Sequence, residues 1–286
     1  ARHVALDSAR FPGVAASAGP VDMPALIGGK QDLVEALRGE KYVDVADAYG
    51  WQIRHGDAAF AGTPEAPVLE VTATDGAVET IDADHYLVAT GASAWAPPID
   101  GLEEAGYLTS TTAMELTEVP ESLLVLGGGY VALEQAQLFA RLGSQVTVLV
   151  RSRLASKEEP EVSRTLEEVF ADEGIRVVRR AVPSRVARDT VTGQVVVMAE
   201  VSGGEQEFRA DEILVALGRR PVTEGLNLEA VGVKTGEAGQ IVVTDQLQTA
   251  NPRVWAGGDV TGHPEFVYVA ARHGTIVAEN AFTDAS

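Results

Sequence analysis

Hydrophobic and polar residues are grouped along this 286-residue chain into blocks that predict alternating strands and helices. The clearest block covers residues 123–150. An apolar run at 123–126 leads into three glycines, apolar positions then recur at helical spacing up to Gly143, and a second apolar run follows at 145–150. Short apolar runs are typical of buried strands, and a spacing of three to four residues is typical of an amphipathic helix. The block therefore predicts one β-α-β unit.

Other blocks repeat these two patterns. Helical spacing is found from residue 24 to about 49, with Leu26, Leu33 and Leu37 on one face. Further helices are predicted at 161–173 and 267–281, strands at 51–60 and 175–178, and antiparallel strand pairs at 68–81 and 195–209. Apolar runs at 86–89 and 212–217 both end on a glycine, which suggests two related nucleotide-binding halves.

The glycines of the first block have the spacing of a dinucleotide-binding turn. Gly127, Gly129 and Ala132 form a G-x-G-x-x-A pattern between a strand and a helix. The first glycine permits the tight turn, the second lets the backbone approach a pyrophosphate, and the alanine allows close packing of helix on strand. The spacing alone is a weak signal, but the strand before it and the helix and strand after it make it specific.

The residues that follow the second strand indicate which nucleotide binds. NAD-binding units place an acidic residue there to bind the ribose 2′-hydroxyl, whereas this chain has Arg151, Ser152 and Arg153. Because arginine forms bidentate, charge-assisted contacts with phosphate, the sequence predicts NADPH rather than NADH. The alternative is that the arginines are only solvated on a loop.

Two other strand ends suggest a second ligand. The run at 86–89 ends at Thr90 and Gly91, which is typical either of a strand that ends against a flat cofactor or of an ordinary buried turn. The run at 254–256 ends at Gly258 and Asp259, where a carboxylate suits a hydroxyl-bearing ligand.

Composition excludes several classes of function. The formal net charge is −20, which disfavours nucleic acid and anionic membranes as partners. No apolar run is long enough to span a bilayer, and we expect a cytoplasmic protein. There is no cysteine, and the five histidines are scattered without metal-ligand spacing, so disulfides, thiol catalysis and a metal site within this stretch are not expected.

Taken as a set, the motifs at 89–91, 127–134, 216–221 and 255–259 resemble the flavin-dependent pyridine nucleotide-disulfide oxidoreductases. The resemblance implies an α/β fold like that of glutathione reductase, with two Rossmann-like domains in three β/β/α layers. It implies part of an FAD-binding domain at 1–109, an NADPH-binding domain at 110–239 and a return segment of the FAD-binding domain at 240–286. A homodimer formed through a C-terminal domain absent from these residues is also implied.

Three stretches narrow the resemblance to the members that reduce mercuric ion: 41–42, 109–114 with two prolines at 97–98, and 266–271. The reaction implied passes electrons from NADPH through FAD and a cysteine pair to Hg(II), which gives Hg(0). The first nucleotide-binding turn and the cysteine pair of that family are not found in this chain. We therefore expect a central portion of a longer protein that is inactive on Hg(II) by itself.

The resemblance also implies roles for individual residues. FAD contacts are implied at Ala58, Thr90, Gly91, Asp259 and Val260. NADPH contacts are implied at Gly127, Gly129, Tyr130, Arg151, Ser152, Arg153 and Gly218. Tyr130 would cover the nicotinamide pocket, and Glu134 would lie beside the nicotinamide and the flavin. Tyr42 and Tyr268 would hand Hg(II) to the redox site.

Two other functions remain open at this point. One is a different disulfide reductase of the same family, of the dihydrolipoamide or glutathione type, although Tyr268 stands where most relatives have a histidine. The other is a non-catalytic NADPH-binding module, which the absence of cysteine favours for the isolated stretch.

Overall fold

The computed structural model describes residues 2–8, 11–14 and 16–282, and the chain forms two compact units. Unit 1 comprises residues 1–41 and 94–218, and unit 2 comprises residues 42–93 and 219–286. Each unit is therefore built from two separate segments of chain. The domain limits expected at 109/110 and 239/240 stay a prediction, and residues 283–286 of the last segment lie outside the described residues.

The helices, in chain order, are α1 (Arg2–Asp7), α2 (Met23–Arg38), α3 (Asp44–Tyr49), α4 (Leu102–Ala105), α5 (Ser110–Ala113), α6 (Tyr130–Leu142), α7 (Pro160–Asp172) and α8 (Val267–Ala281). The strands are β1 (Asp57–Gly62), β2 (Pro67–Thr72), β3 (Val78–Ile81), β4 (Tyr86–Val88), β5 (Ala92–Ala94), β6 (Ser122–Leu126), β7 (Gln145–Val150), β8 (Arg176–Arg179), β9 (Val182–Arg188), β10 (Val195–Val201), β11 (Gly204–Ala210), β12 (Glu212–Val215), β13 (Arg219–Pro221) and β14 (Val254–Ala256). A π-helical turn occupies Gly39–Val43, and 3₁₀ turns occupy Leu228–Val231 and Gly258–Thr261.

Unit 1 has three layers, and the middle layer is a parallel sheet with the strand order β12-β6-β7-β8. Alternate side chains of β6 face opposite layers: Leu123 and Val125 pack with the buried face of α6, whereas Leu124 and Leu126 pack against the antiparallel sheet β9–β11. All four are at most 1% exposed, as expected for a parallel strand covered on both faces. The β-α-β unit and the β/β/α layering predicted from the sequence are confirmed here.

Unit 2 combines the antiparallel sheet β1-β2-β3 with the parallel pair β4 and β14 and the short pair β5 and β13. The strands predicted at 68–81 form β2 and β3, whose register pairs Val71 with Glu79. Phe60, Tyr86 and Ile241 belong to the core of this unit. The strand predicted at 51–60 begins only at Asp57.

The helical segment predicted from 24 to 49 is interrupted. Asp22 caps α2 by accepting the backbone N–H of Ala25 at 3.0 Å, and the α-helix gives way to the π turn at Gly39. The apolar face of Leu26, Leu33 and Leu37 is between 39% and 59% exposed. The spacing thus predicted the helix correctly, but this face does not enter the core of the described chain. No helix in the described ranges is both long enough and apolar enough to cross a membrane.

Candidate functional site

The turn between β6 and α6 places glycine where no other residue fits. Gly127 has φ +128°, and a Cβ there would lie 2.2 Å from the carbonyl oxygen of Ala216. Its N–H donates to the carbonyl of Leu149 at 3.1 Å, so β7 and the residue after β12 hold it from two sides. Gly129 differs, because a Cβ there would meet no atom within 4 Å. The turn is tight at its first glycine and faces open space at its third.

The N-terminus of α6 is free to bind an anion. Gly129 is the N-cap, no N-cap side chain accepts a hydrogen bond from the first N–H groups of the helix, and the first turn contains no acidic residue. The first backbone N–H groups of a helix have no partner within the helix, and the helix dipole favours negative charge beside them. The glycine turn and this helix end together form the kind of site that binds a pyrophosphate.

The loop after β7 gives its two arginines different environments. The Arg153 guanidinium donates to Ser163 Oγ at 3.2 Å and to the carbonyls of Ser156 and Glu158 at 3.0 and 2.7 Å. Arg151 is exposed and has no hydrogen-bond or ion-pair partner within the described ranges. Arg153 therefore braces the loop, and Arg151 is the guanidinium available to an added phosphate.

Two further contacts connect this loop with the glycine turn. The N–H of Ala155 donates to the carbonyl of Gly128 at 2.7 Å. The Tyr130 hydroxyl, at the start of α6, donates to Glu158 Oε1, and this contact with the carboxylate raises the pKa of Tyr130. Sequence reasoning missed Glu158, because its contact with Tyr130 spans 28 positions of the chain.

The remaining predicted residues of unit 1 are exposed. Ser152 lies beside Arg151 on the loop, and Glu134 lies one turn along α6 from Tyr130. Gly218 follows β12 with φ +151°, and a Cβ there would approach the Trp95 ring to 3.8 Å. The structure thus places the predicted NADPH residues at the carboxyl ends of adjacent parallel strands, where ligands of such sheets bind.

In unit 2, parallel pairing brings the other two strand ends together. Tyr86 is paired with Val254 and Val88 with Ala256, so Thr90-Gly91 and Gly258-Asp259 lie at the same edge. The N–H of Gly257 donates to the carbonyl of Val88 at 3.0 Å. Gly91 has φ +72° and open space where a Cβ would be. This backbone can be approached closely by a flat ligand.

The side chains at this edge are partly engaged within the unit. Thr90 Oγ1 donates to the carbonyl of Val222 at 2.6 Å. Val260 is fully buried and its carbonyl accepts the N–H of Ile241 at 2.9 Å, so a contact of Val260 with FAD stays a prediction. Asp259 is 26% exposed and lies 3.6 Å from an Arg219 nitrogen. Arg219 also pairs with Glu265 at 3.0 Å. The sequence did not indicate these ionic partners individually, although Arg219 belongs to the 216–221 motif.

The other predicted residues of unit 2 are separate from one another. Ala58 is half-buried in β1 opposite Val71. Tyr42 and Tyr268 are 68% and 70% exposed, and Tyr268 stacks on Phe266 with ring centroids 5.3 Å apart. No hydrogen bond or ring contact joins Tyr42 with Tyr268 in the part of the chain that the structure describes. Their role with mercury stays a prediction.

An open depression of about 700 Å³ in unit 1 is not part of these sites. Asp100, Glu104, Arg185 and Arg188 contribute to its lining. The Arg188 guanidinium already donates to the carbonyls of Ala105, Gly193 and Asp211. The depression includes none of the predicted cofactor residues.

Comparison with known proteins gives the family. The sequence model described as pyridine nucleotide-disulphide oxidoreductase matches residues 8–274. A mercuric reductase of Streptomyces lividans is 58% identical over 287 residues, an alignment that includes 100% of this chain and 59% of that protein. A mercuric reductase of Staphylococcus aureus is 42% identical over 95% of this chain and 48% of that protein. The chain thus spans about half the length of these curated relatives.

Solved structures agree with the fold. A flavoprotein disulfide reductase of Escherichia coli, RclA, has a TM-score of 0.84 at 28% identity, over 99% of this chain and 60% of that one. LpdA of Mycobacterium tuberculosis has a TM-score of 0.84 at 27% identity, over 98% and 60%. The α/β fold inferred from the sequence is therefore confirmed as that of flavoprotein disulfide reductases.

Proposed function

The chain belongs to the pyridine nucleotide-disulphide oxidoreductase family, and on that premise we propose that it is the nucleotide-binding part of a mercuric reductase. In this proposal electrons pass from NADPH through FAD to Hg(II), which is reduced to Hg(0). The 58% identity to the Streptomyces lividans mercuric reductase over all of this chain supports the choice of substrate. The Hg(II) step, the homodimer and a cytoplasmic location belong to the same proposal.

The observation that carries the NADPH assignment is the site at the carboxyl ends of β6 and β7. The open backbone at Gly129 and the uncapped α6 suit a pyrophosphate, and the unpaired Arg151 suits a 2′-phosphate. A hydrogen bond between charged groups contributes about 1.5–3 kcal/mol. NADPH is therefore expected to bind at least tenfold more tightly than NADH.

Direct binding measurements test this assignment. We expect Arg151→Glu to weaken NADPH by about 1.5–3 kcal/mol and to leave NADH nearly unchanged. Arg185→Glu, a matched charge reversal on β9 whose pairing with Asp100 is weak at 3.7 Å, should change neither. If Arg151→Glu lowered the affinity for NADPH and for NADH equally, or if the wild type preferred NADH, the assignment would be contradicted.

The residues at the edge of unit 2 fit FAD. Gly91 offers a backbone without side chain, the Asp259 carboxylate can accept a hydrogen bond from a hydroxyl group, and the backbone of Ala58 would add a contact. When bound, FAD supplies the chemistry that accepts a hydride from NADPH and passes the electrons on. A flavin spectrum that stays with the purified protein supports this site, and Asp259→Ala should weaken flavin retention.

The mercury step needs groups that these residues do not contain. Soft thiolates are the ligands suited to Hg(II), and the 286 residues include no cysteine. We therefore expect the chain alone to leave Hg(II) unreduced in the presence of NADPH and FAD. The Streptomyces lividans relative serves as positive control for loss of Hg(II). In that assay, mercury reduction by this chain would refute the expectation.

A non-catalytic NADPH-binding module remains the second candidate. The complete glycine turn and the free Arg151 within unit 1 favour it. Retention of NADPH affinity by protein that binds no FAD at any concentration tested would support this module over the reductase. The net charge of −20 disfavours nucleic acid as a partner under either proposal.

A further inference from the structure

We propose that His273 is a positioning residue for the Gly258–Asp259 turn, that it supports the turn only while its ring is neutral, and that His263 accepts a hydrogen bond from the proton-bearing Nε2 of that ring. No motif pointed to these histidines. The consequence for FAD rests on the proposed function, whereas the arrangement of the two rings stands on the structure of unit 2.

The His273 side chain lies against both glycines that precede Asp259. His273 lies on α8 and is 7% exposed, and its Nδ1 accepts the N–H of Gly258 at 3.0 Å. A Cβ at Gly257 would lie 3.3 Å from the Cβ of His273, so the side chain packs against that backbone. Gly258 has φ +75°. The imidazole therefore supports a turn in the left-handed region directly before the carboxylate.

Hydrogen-bond chemistry determines which nitrogens carry protons. Since Nδ1 of His273 accepts a hydrogen bond, the proton of the neutral ring must be on Nε2. That Nε2 is 3.4 Å from Nδ1 of His263, with ring centroids 5.1 Å apart. The Nε2–H of His273 can therefore donate to His263, which makes the second ring an acceptor at its Nδ1. The Gly258 N–H thus donates to His273, and His273 in turn donates to His263, so that two neutral rings form a directional chain.

Two carboxylates near the turn share one arginine. Asp259 in the turn and Glu265 in the following loop both pair with Arg219 of β13, and Arg272 is the charged neighbour of His273 on α8. Burial first, and His263 second, lowers the pKa of His273 from its ordinary value of 6.5. The surroundings thus favour the neutral ring that the geometry requires.

Protonation of His273 would remove this support. A proton on Nδ1 would face the N–H of Gly258, which places two donors against each other. Because the pKa is lowered on folding, the stabilisation is fully present above pH 6.5 and is lost as the pH falls through the lower pKa of the folded state. The turn should then loosen, and Asp259 should hold a ligand less well.

Nuclear magnetic resonance of ¹⁵N-histidine-labelled protein tests the arrangement without any cofactor. We expect His273 as the Nε2–H tautomer with a pKa below 6.5, and a Gly258 amide shift that follows the same titration. EDTA should change neither. A Gly258 amide that ignores the titration, an Nδ1–H tautomer, or a change on adding EDTA, which would indicate a metal between the rings, would each overturn the proposal.

Variants test the consequence for FAD. His273→Asn keeps an acceptor near the position of Nδ1 and does not titrate, whereas His273→Leu removes the acceptor. We expect the FAD affinity of the wild type to fall about 2- to 10-fold between pH 7.5 and a pH below the midpoint of the His273 titration, which corresponds to the loss of one hydrogen bond. His273→Asn should remove this dependence of FAD affinity on pH, and His273→Leu should lower FAD affinity at both pH values. The control is His55→Asn, at an exposed histidine of the same unit, which should keep the pH dependence of the wild type.

The two arms separate the two proposals. If FAD does not bind at any pH but the resonances behave as expected, the proposed FAD site fails and the histidine arrangement stands. If FAD binds and His273→Asn keeps the full pH dependence, the positioning role is wrong and the FAD site stands. If the His273→Leu variant fails to fold, the resonance measurements on the wild type and the FAD affinity of His273→Asn still test the proposal.

Discussion

The two glycine-rich turns of this molecule are built in opposite ways. The turn of unit 1 is local: β6, Gly127, α6 and β7 follow one another within residues 122–150. The turn of unit 2 is assembled from distant segments, because Gly258 is held by His273 of α8 and Gly257 by Val88. A local turn can be identified from spacing, whereas an assembled one depends on contacts that spacing does not reveal.

The largest expected difference between the turns is steric. Gly127→Ala would drive a Cβ to 2.2 Å from the Ala216 carbonyl at φ +128°, and we expect a loss of about 2–4 kcal/mol in the free energy of unfolding together with loss of NADPH binding. Gly258→Ala meets only the Cβ of Ala270 at 3.5 Å. Its cost should be about 1–2 kcal/mol, from positive φ alone.

Urea unfolding of both variants measures this difference. Gly129→Ala is the control for unit 1, since its Cβ meets nothing within 4 Å. The Gly129→Ala variant should keep the free energy of unfolding of the wild type and should bind NADPH more weakly. Equal destabilisation by Gly127→Ala and Gly129→Ala would show that the turn is not held as tightly as the contacts indicate.

An intermediate effect is expected where the loop after β7 is braced. Arg153→Ala removes three hydrogen bonds to Ser163, Ser156 and Glu158. We expect about 1–2 kcal/mol of lost stability and weaker NADPH binding, because the loop that carries Arg151 is released. Arg151→Ala should weaken NADPH and leave thermal unfolding unchanged. If Arg153→Ala and Arg151→Ala unfold at the same temperature, the assignment of Arg153 to loop stability and Arg151 to NADPH binding is wrong.

The smallest expected effect is the loss of stability at acidic pH through the ion pair between Glu173 and Arg141. Glu173 accepts both Nε and Nη2 of Arg141, at 2.9 and 2.6 Å, and this pairing lowers its pKa below the ordinary 4.5. The pair stabilises unit 1 above that pH, and the contribution is lost as the pH falls through the lowered pKa. Since Arg141 is 40% exposed, Glu173→Gln should cost about 1 kcal/mol in the free energy of unfolding at pH 7, and this cost should disappear as the pH falls below the lowered pKa of Glu173.

This acid dependence sharpens the comparison between the units. Hydrogen exchange as a function of pH should show the Gly258 amide of unit 2 losing protection as the pH falls through the lowered pKa of His273. The α6 region of unit 1 should lose protection only below about pH 4.5. Simultaneous loss at one pH would mean that a single global transition, rather than these two groups, sets the response.

Some features were predictable because their causes lie close together in the chain. The β6-α6-β7 unit and the pair β2 and β3 follow from periodicity and glycine positions. The π turn at Gly39–Val43 left no comparable signal, and the apolar spacing of Leu26, Leu33 and Leu37 indicated a helix without indicating whether that face is covered. Periodicity reports which residues share a face, and packing decides what the face meets.

The sequence by itself determined the family, the α/β fold, the glycine turn and the two candidate arginines, because each depends on residue type at short, fixed spacing. Only the tertiary structure decided that Arg153 braces its loop, that Glu158 receives the Tyr130 hydroxyl, and that His273 supports the turn before Asp259. These contacts join residues 3 to 28 positions apart, and they form only after the loops, strands and helices have packed. Their hydrogen bonds depend on direction and distance, which no residue pattern specifies.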